Sequence, residues 1–202
     1  MEPFDRRLEH LLSVAAKVFA ERGFHRTSMR DLSHASKMSL AGMYYYVKNK
    51  EDLLFQIQRN CFEQVLAGAV KATAATAPPE ERLAAFITHH ITFFSRHMAE
   101  MKVLSHEAES LSGGSRDQIL ALNRRYAELC LGLLADLDAK TGRDPADRTV
   151  SAYTLFGMMN WMYTWYDPAG AVGVKELADT IGRLFLNGYT RNESVDGRPS
   201  PT

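Results

Sequence analysis

Hydroxyl, basic and small residues recur at helical spacing between Thr27 and Tyr46, in an order suited to reading a nucleic acid. Thr27 or Ser28 can accept hydrogen bonds from the free N–H groups that open a first short helix. Ser39 can do the same for a second, running from Leu40 to about Val47. Ser36, Lys37 and Met38 leave room only for a tight turn between them. Leu32, Ala35, Met38 and Met43 are spaced to pack the two helices across each other. A pair so arranged is a helix-turn-helix, whose second helix enters the DNA major groove. On that helix Ser39, Leu40, Ala41, Gly42 and Tyr45 would face outward, small or flat enough for the backbone to approach base edges. Tyr44, Lys48 and Lys50, with Thr27, Ser28, Met29, Arg30 and Lys37, complete the candidate DNA-contact set.

Other chemistry has less support. The chain contains no nucleophile elbow, no phosphate-binding glycine loop and no His-Glu-x-x-His pattern, so no catalytic residue is assigned and an enzyme is not expected. His89, His90, His97, His106, Glu107 and Glu109 lie close in sequence, and His106 and Glu109 share a helix face as a ligand pair could. His89 and His90 point to different faces and no second pair matches, so neither metal nor cofactor is assigned. Met158, Met159, Trp161, Met162, Tyr163, Trp165 and Tyr166 have the adaptable apolar character of a pocket wall. The same periodicity suits a core or a subunit seam, and both readings stand.

The elements that must position these residues are all helical. Leu8, Leu11, Leu12, Ala15, Val18 and Phe19 predict a helix from Phe4 to Arg22, ended by Gly23, with Phe24 folding back and Arg26 and Thr27 near a phosphate. Asn49 with Asp52 opens a long helix through Leu53, Leu54, Ile57, Phe62, Val65 and Leu66. Pro79 starts another, with Leu83, Phe86, Ile87, Ile91 and Phe94 on its apolar face. After a break at 95–97 comes a shorter helix carrying Met98 to Ala108. Ser115 is expected to cap a long helix through Leu137. Pro145 opens one reaching about Tyr166, and the last covers about Val174 to Tyr189. No strand pattern occurs, and the fold class expected is all-α. The division expected is a DNA-binding unit over 1–48, a helical ligand-binding and dimerising unit over 49–191, and a disordered tail over 192–202.

Charge is unevenly spread. The 202-residue chain has a net charge of zero, yet residues 22–50 hold Arg22, Arg26, Arg30, Lys37, Lys48 and Lys50 against Asp31 alone, a net +5. A basic module on an acidic body provides local phosphate attraction without a general nucleic-acid coat. The two cysteines, Cys61 and Cys130, have no metal-type spacing and fit a reducing cytoplasm. Neither a signal peptide nor a membrane-length apolar run is evident, so no membrane partner is expected.

The sequence resembles TetR-family transcriptional regulators. The resemblance is carried by Ala20-Glu21-Arg22-Gly23-Phe24, by Thr27 to Leu32, by Ser39 with Met43-Tyr44-Tyr45-Tyr46, and by Lys50-Glu51-Asp52-Leu53-Leu54. It implies an N-terminal three-helix bundle that binds an operator and a helical body that binds an effector and forms a homodimer. Lys37 stands where the family often has Gly, Tyr46 where it often has His, and Val47 where it often has Phe. More weakly, Arg116 to Tyr126 and Asn160 to Gly170 resemble regulators of fatty-acid, sterol or aromatic-acid degradation, which respond to acyl-CoA thioesters. The repressor reading therefore carries a small apolar or acyl-CoA-type effector. Asp167 replaces an Arg common in those relatives, and its carboxylate would repel a CoA phosphate. The effector set expected is Phe94, Met101, Leu104, Arg124, Arg125, Tyr126, Met158, Trp161, Met162 and Trp165. The dimer seam expected is Tyr153, Phe156, Tyr163, Leu177, Ile181, Leu184 and Phe185. A helical carrier without specific DNA binding and a metal-dependent helical enzyme are the rival readings.

Overall fold

The computed structural model describes residues 3–142 and 145–190; the expected tail from residue 192 lies outside the described residues. Among those described, all regular structure is helical: α1 (Pro3–Arg22), α2 (Met29–Ser36), α3 (Leu40–Tyr44), α4 (Lys50–Thr73), α5 (Pro79–Arg96), α6 (Met98–His106), α7 (Gly113–Thr141), α8 (Arg148–Asn160) and α9 (Val174–Thr190), with short 3-10 turns at Pro145–Asp147 and Trp161–Thr164.

Local signals in the sequence account for most boundaries. Gly23 ends α1 with φ 83°, a left-handed conformation that a side chain disfavours. Ser28 caps α2 reciprocally: its hydroxyl accepts from the Asp31 N–H, and the Asp31 carboxylate accepts from the Ser28 N–H at 2.8 Å. Ser39 Oγ accepts from the Gly42 N–H at 3.1 Å and caps α3. Asn49 caps α4 through the Asp52 N–H at 2.7 Å, while the Asp52 carboxylate returns to the Lys48 N–H. Pro79 sits in the first turn of α5, where its missing N–H is harmless.

Three expectations about boundaries and faces are corrected. Ser115 does not cap α7; the helix begins at Gly113, because the Ser112 N–H and hydroxyl both donate to Glu51 Oε1 and fix the entry three residues earlier. The helix from Pro145 does not run unbroken to Tyr166. It tightens at Trp161, a winding that places Met162 and Tyr166 in the core and leaves Trp161 and Trp165 outside. Within the helix-turn-helix, Ala35 is exposed and Ser36 takes the buried position, with Leu32 and Met43 forming the crossing.

Two apolar cores result. The first gathers α1, α2, α3 and the first half of α4 around Leu11, Phe19, Leu32, Met43, Leu53 and Ile57, and draws in Val103, Leu111 and Ile119 from the body. The second lies among α4's later turns, α5, α7, α8 and α9, around Val65, Phe86, Ile91, Leu134, Leu155 and Ile181. Each fully buried Leu, Ile or Phe contributes about 1.5–3 kcal/mol. Helix α4 serves both cores, and α6 packs against α1 as well as α4 and α5. The body is further tied by Asp138 of α7, which is buried yet satisfied by Arg148 Nε of α8 at 2.7 Å and by the Tyr189 hydroxyl of α9. Between α4 and α5, Gly68 meets His89, whose Nε2 donates to the Val65 carbonyl; a Cβ at Gly68 would lie 2.3 Å from His89 Cε1.

Candidate nucleic-acid interface and ligand cavity

The capped turn between α2 and α3 presents one outward surface. Arg30, Lys37, Ser39, Ala41, Tyr44, Tyr45 and Lys48 are exposed on it, and Leu40 and Gly42 are partly exposed. Tyr45 is 74% and Tyr44 51% accessible, and Tyr45 stacks edge-on against Tyr46. Lys37 adopts φ 56°, the left-handed cap of α2, so its ammonium is carried at the apex of the turn. That conformation explains the residue type expected by resemblance at this position: glycine takes it without strain, lysine does not.

Not every residue of the expected contact set faces outward. Thr27 is only 2% accessible, and its hydroxyl donates to the Gly23 carbonyl across the end of α1. Met29 packs partly against the first core. Ser28 is exposed, but its hydroxyl is committed to Asp31. Lys50 changes role most. Its ammonium donates to the Phe24 and Thr27 carbonyls, each at 2.8 Å, and lies 4.3 Å from the centre of the Phe24 ring. It therefore braces the α1–α2 loop from inside. Arg26 likewise turns back, its Nε donating to the Arg22 carbonyl. In the other direction, Arg6 and Arg7 at the start of α1 line a cleft with His10, Lys37, Ser39 and Gly42, and were not singled out from sequence. Only the folded α1 brings their charge beside the turn; their position at the chain's beginning gave no hint of it.

In the body, a cavity of about 210 Å³ opens among α4, α5, α6, α7 and α8. Phe62, Phe94, Met101, Leu104 and Phe156 supply apolar wall, while His90, Ser105, Asn123, Tyr126 and Asn160 supply polar atoms. No Lys, Arg, Asp or Glu lines it. His90 and Tyr126 are buried together, Nδ1 lying 3.0 Å from the phenol oxygen. Burial pushes the His90 pKa down to about 3, so the ring is neutral, and it pushes the Tyr126 phenol up. His90 Nε2 has no hydrogen-bond partner; Asn160 comes near enough to favour the protonated ring without meeting hydrogen-bond geometry.

Of the expected effector residues, Phe94, Met101, Leu104 and Tyr126 line this cavity. Arg124 and Arg125 are exposed on the outer face of α7, Met162 is fully buried in the second core, Met158 packs partly against it, and Trp161 and Trp165 are exposed. The aromatic run after α8 is thus split between core and surface. Asp167 is occupied in its own turn, accepting from the Ala169 N–H at 2.9 Å. The histidines and glutamates near residue 100 disperse to separate partners: His89 to Val65, His97 to the Phe93 carbonyl, His106 to the Tyr163 hydroxyl, and Glu107 to the Phe24 N–H at 3.0 Å. Glu107 matters for position, since it ends α6 within three residues of the lining side chains Leu104 and Ser105 and holds the loop that leads into α2.

The expected dimer seam is also divided. Leu177, Ile181 and Phe185 turn inward, because α9 lays its apolar face on α5 of the same subunit. Phe156 lines the cavity, and the Tyr163 hydroxyl lies 3.0 Å from His106 Nε2. Tyr153 and Leu184 remain exposed, as do Val150 of α8 and Trp161 of the 3-10 turn, and Tyr153 also stands at the edge of the cavity, among its lining residues.

Comparison with known proteins agrees with this geometry. Residues 11–57 match the family described as bacterial regulatory proteins, tetR family, and residues 76–189 match the tetracyclin repressor-like C-terminal domain. The HTH-type transcriptional repressor KstR2 of Rhodococcus jostii is 27% identical over 97% of this chain and 92% of its own. AibR, solved in complex with isovaleryl coenzyme A and operator DNA, is 31% identical, covers 89% of this chain and 98% of its own, and has a TM-score of 0.78. The TetR-family regulator PfmR from Thermus thermophilus is 28% identical, with 88% and 97% coverage and a TM-score of 0.79.

Proposed function

The chain belongs to the TetR family of bacterial regulatory proteins, and on that premise we propose that it is a homodimeric repressor released from a pseudo-palindromic operator by a small effector seated in the body cavity. The observation that carries this reading is the coexistence, in one subunit, of an outward recognition turn and a cavity joined to it through α4 and α6. The similarity to AibR, whose structure holds an acyl-CoA and operator DNA, supports an acyl thioester as the effector type.

At the DNA, α3 enters the major groove with Ser39, Ala41 and Tyr45 toward base edges, while Arg30, Lys37, Tyr44, Lys48, Arg6 and Arg7 meet phosphates. The DNA-binding unit spans residues 1–48 and the body 49–191, with α4 as the shared member. Two copies associate through the outer faces of α8 and α9, using Val150, Tyr153, Trp161 and Leu184. Arg124 and Arg125, outside the mouth, suit the phosphates of a CoA moiety whose acyl end lies within. The effector favours a dimer whose two α3 helices no longer match successive grooves, and release follows from its differential affinity for the two states. Such a protein works in the cytoplasm, beside the chromosome.

The test is selection of fragments of the source genome by the purified protein. Recovery of a palindromic site, bound about 10-fold or more weakly by Tyr44→Ala plus Tyr45→Ala and weakened by salt, is the expected result. Salt-sensitive binding without preferred sequence would overturn it.

A further inference from the structure

Resting on the reading of the cavity as the effector site, we propose that His90 is its polar anchor: a donor that selects a neutral carbonyl compound, such as an acyl thioester, over the free carboxylic acid. The argument begins with hydrogen-bond satisfaction. His90 Nδ1 and the Tyr126 hydroxyl are 3.0 Å apart and both are buried. If Nδ1 carried the proton and donated to the phenol oxygen, the phenol hydrogen would be left buried without an acceptor. If instead the phenol donates to Nδ1, both groups are satisfied by one bond, and the single ring proton of the neutral imidazole resides on Nε2. The second arrangement strands only one group, and that group is the unpartnered Nε2–H.

A buried donor without an acceptor is unfavourable, and an occupant of the cavity that brings a carbonyl oxygen relieves it. Asn160, the neighbour nearest to serving Nε2, is exposed and can turn aside as the carbonyl arrives. The preference for a neutral ligand follows from the rest of the wall. No cationic side chain lines the cavity, and His90 itself stays neutral at physiological pH because burial disfavours its protonation. A carboxylate entering there would exchange water for a site without a counter-charge. An ester, thioester or amide carbonyl loses far less on desolvation and keeps the acceptor. The volume of about 210 Å³ lies below the roughly 300–1,000 Å³ usual for drug-sized ligands, so the enclosed part is a short acyl group with the remainder projecting past Asn123 and Ser105.

The test uses N-acetylcysteamine thioesters of short branched and straight acids, the matching free acids, and the thioethers in which the carbonyl is a methylene, all titrated calorimetrically into the dimer. The thioester should bind at least about 10-fold more tightly than both the acid and the thioether, and His90→Phe should erase the margin over the thioether. Because that margin is a ratio within one variant, it survives a modest loss of stability in His90→Phe. Nitrogen-15 spectra of the ligand-free wild type read the same inference without a ligand: a protonated Nε2 and a bare Nδ1 are expected. Equal binding of thioester and thioether, preference for the acid, or a protonated Nδ1 would overturn the anchor while leaving the effector site in place. Failure of every compound to bind would remove the effector reading along with it.

Discussion

Lys37 shows at the scale of one residue how a surface position is set by two demands. Its φ of 56° is disfavoured by about 1 kcal/mol relative to glycine, yet the side chain stands at the apex of the recognition turn. Lys37→Gly should therefore leave the fold as stable or slightly more so in denaturant titrations. It should also lower the salt dependence of operator binding by about one counterion. A loss of stability would show that the turn does not strain the lysine. His90 yields a second expectation. Its folded pKa of about 3 is depressed from an unfolded value near 6.5, so the unfolded chain binds the extra proton as pH falls. The stability due to the neutral ring is complete above about pH 6.5 and is lost toward pH 3, by about 1.4 kcal/mol per pH unit. Half-buried His89 is shifted in the same direction and adds to the slope. Urea unfolding between pH 7 and 5 should show this decline, and His90→Phe should flatten it. These residues also mark where sequence reasoning ends. Ser39 and Asn49 were legible as caps, and Ser28 as one of two candidates with Thr27, because capping depends on neighbours three residues away. Lys50 was not, because a lysine directed at phosphate and one directed at two carbonyls 23 and 26 residues earlier have the same local sequence.

Among the elements, α6 has the clearest mechanical role. Met101, Leu104 and Ser105 line the cavity, and one turn later Glu107 accepts from the Phe24 N–H and the Ser110 hydroxyl, while its carbonyl accepts from Gln58. Under the proposed function, a movement of α6 on ligand binding would pass through these bonds to the loop between α1 and α2. Glu107→Ala should leave effector affinity within about 3-fold but reduce the effector's influence on operator affinity by about 5-fold or more, within the usual range of coupling energies. Titrating operator with and without effector in both proteins measures this, and unchanged coupling would assign the link to α4 alone. The helices themselves were largely legible from apolar periodicity. Which surface covers each apolar face was not: Leu177, Ile181 and Phe185 read equally well as a subunit seam, and only the tertiary fold lays them on α5. Likewise the stretch from Met158 to Tyr166 reads as the end of one continuous helix until the 3-10 turn divides it.

For the whole molecule, symmetry joins the two functions. A palindromic operator needs two recognition turns held at a fixed spacing, and the proposed seam assigns that role to exposed side chains of α8 and α9. Tyr153→Arg with Leu184→Arg should convert the dimer to monomer in sedimentation velocity and weaken operator binding about 100-fold or more, with helical content unchanged. A persistent dimer would move the seam elsewhere. The central claim, that occupancy of the cavity releases DNA, is tested most directly by operator affinity in fluorescence anisotropy across a titration of a short-chain acyl thioester. The account predicts a fall of about 5–150-fold that saturates with thioester binding, and an equal reduction of thioester affinity by operator, as linkage requires. Operator affinity that stays constant while the thioester demonstrably occupies the body would contradict it.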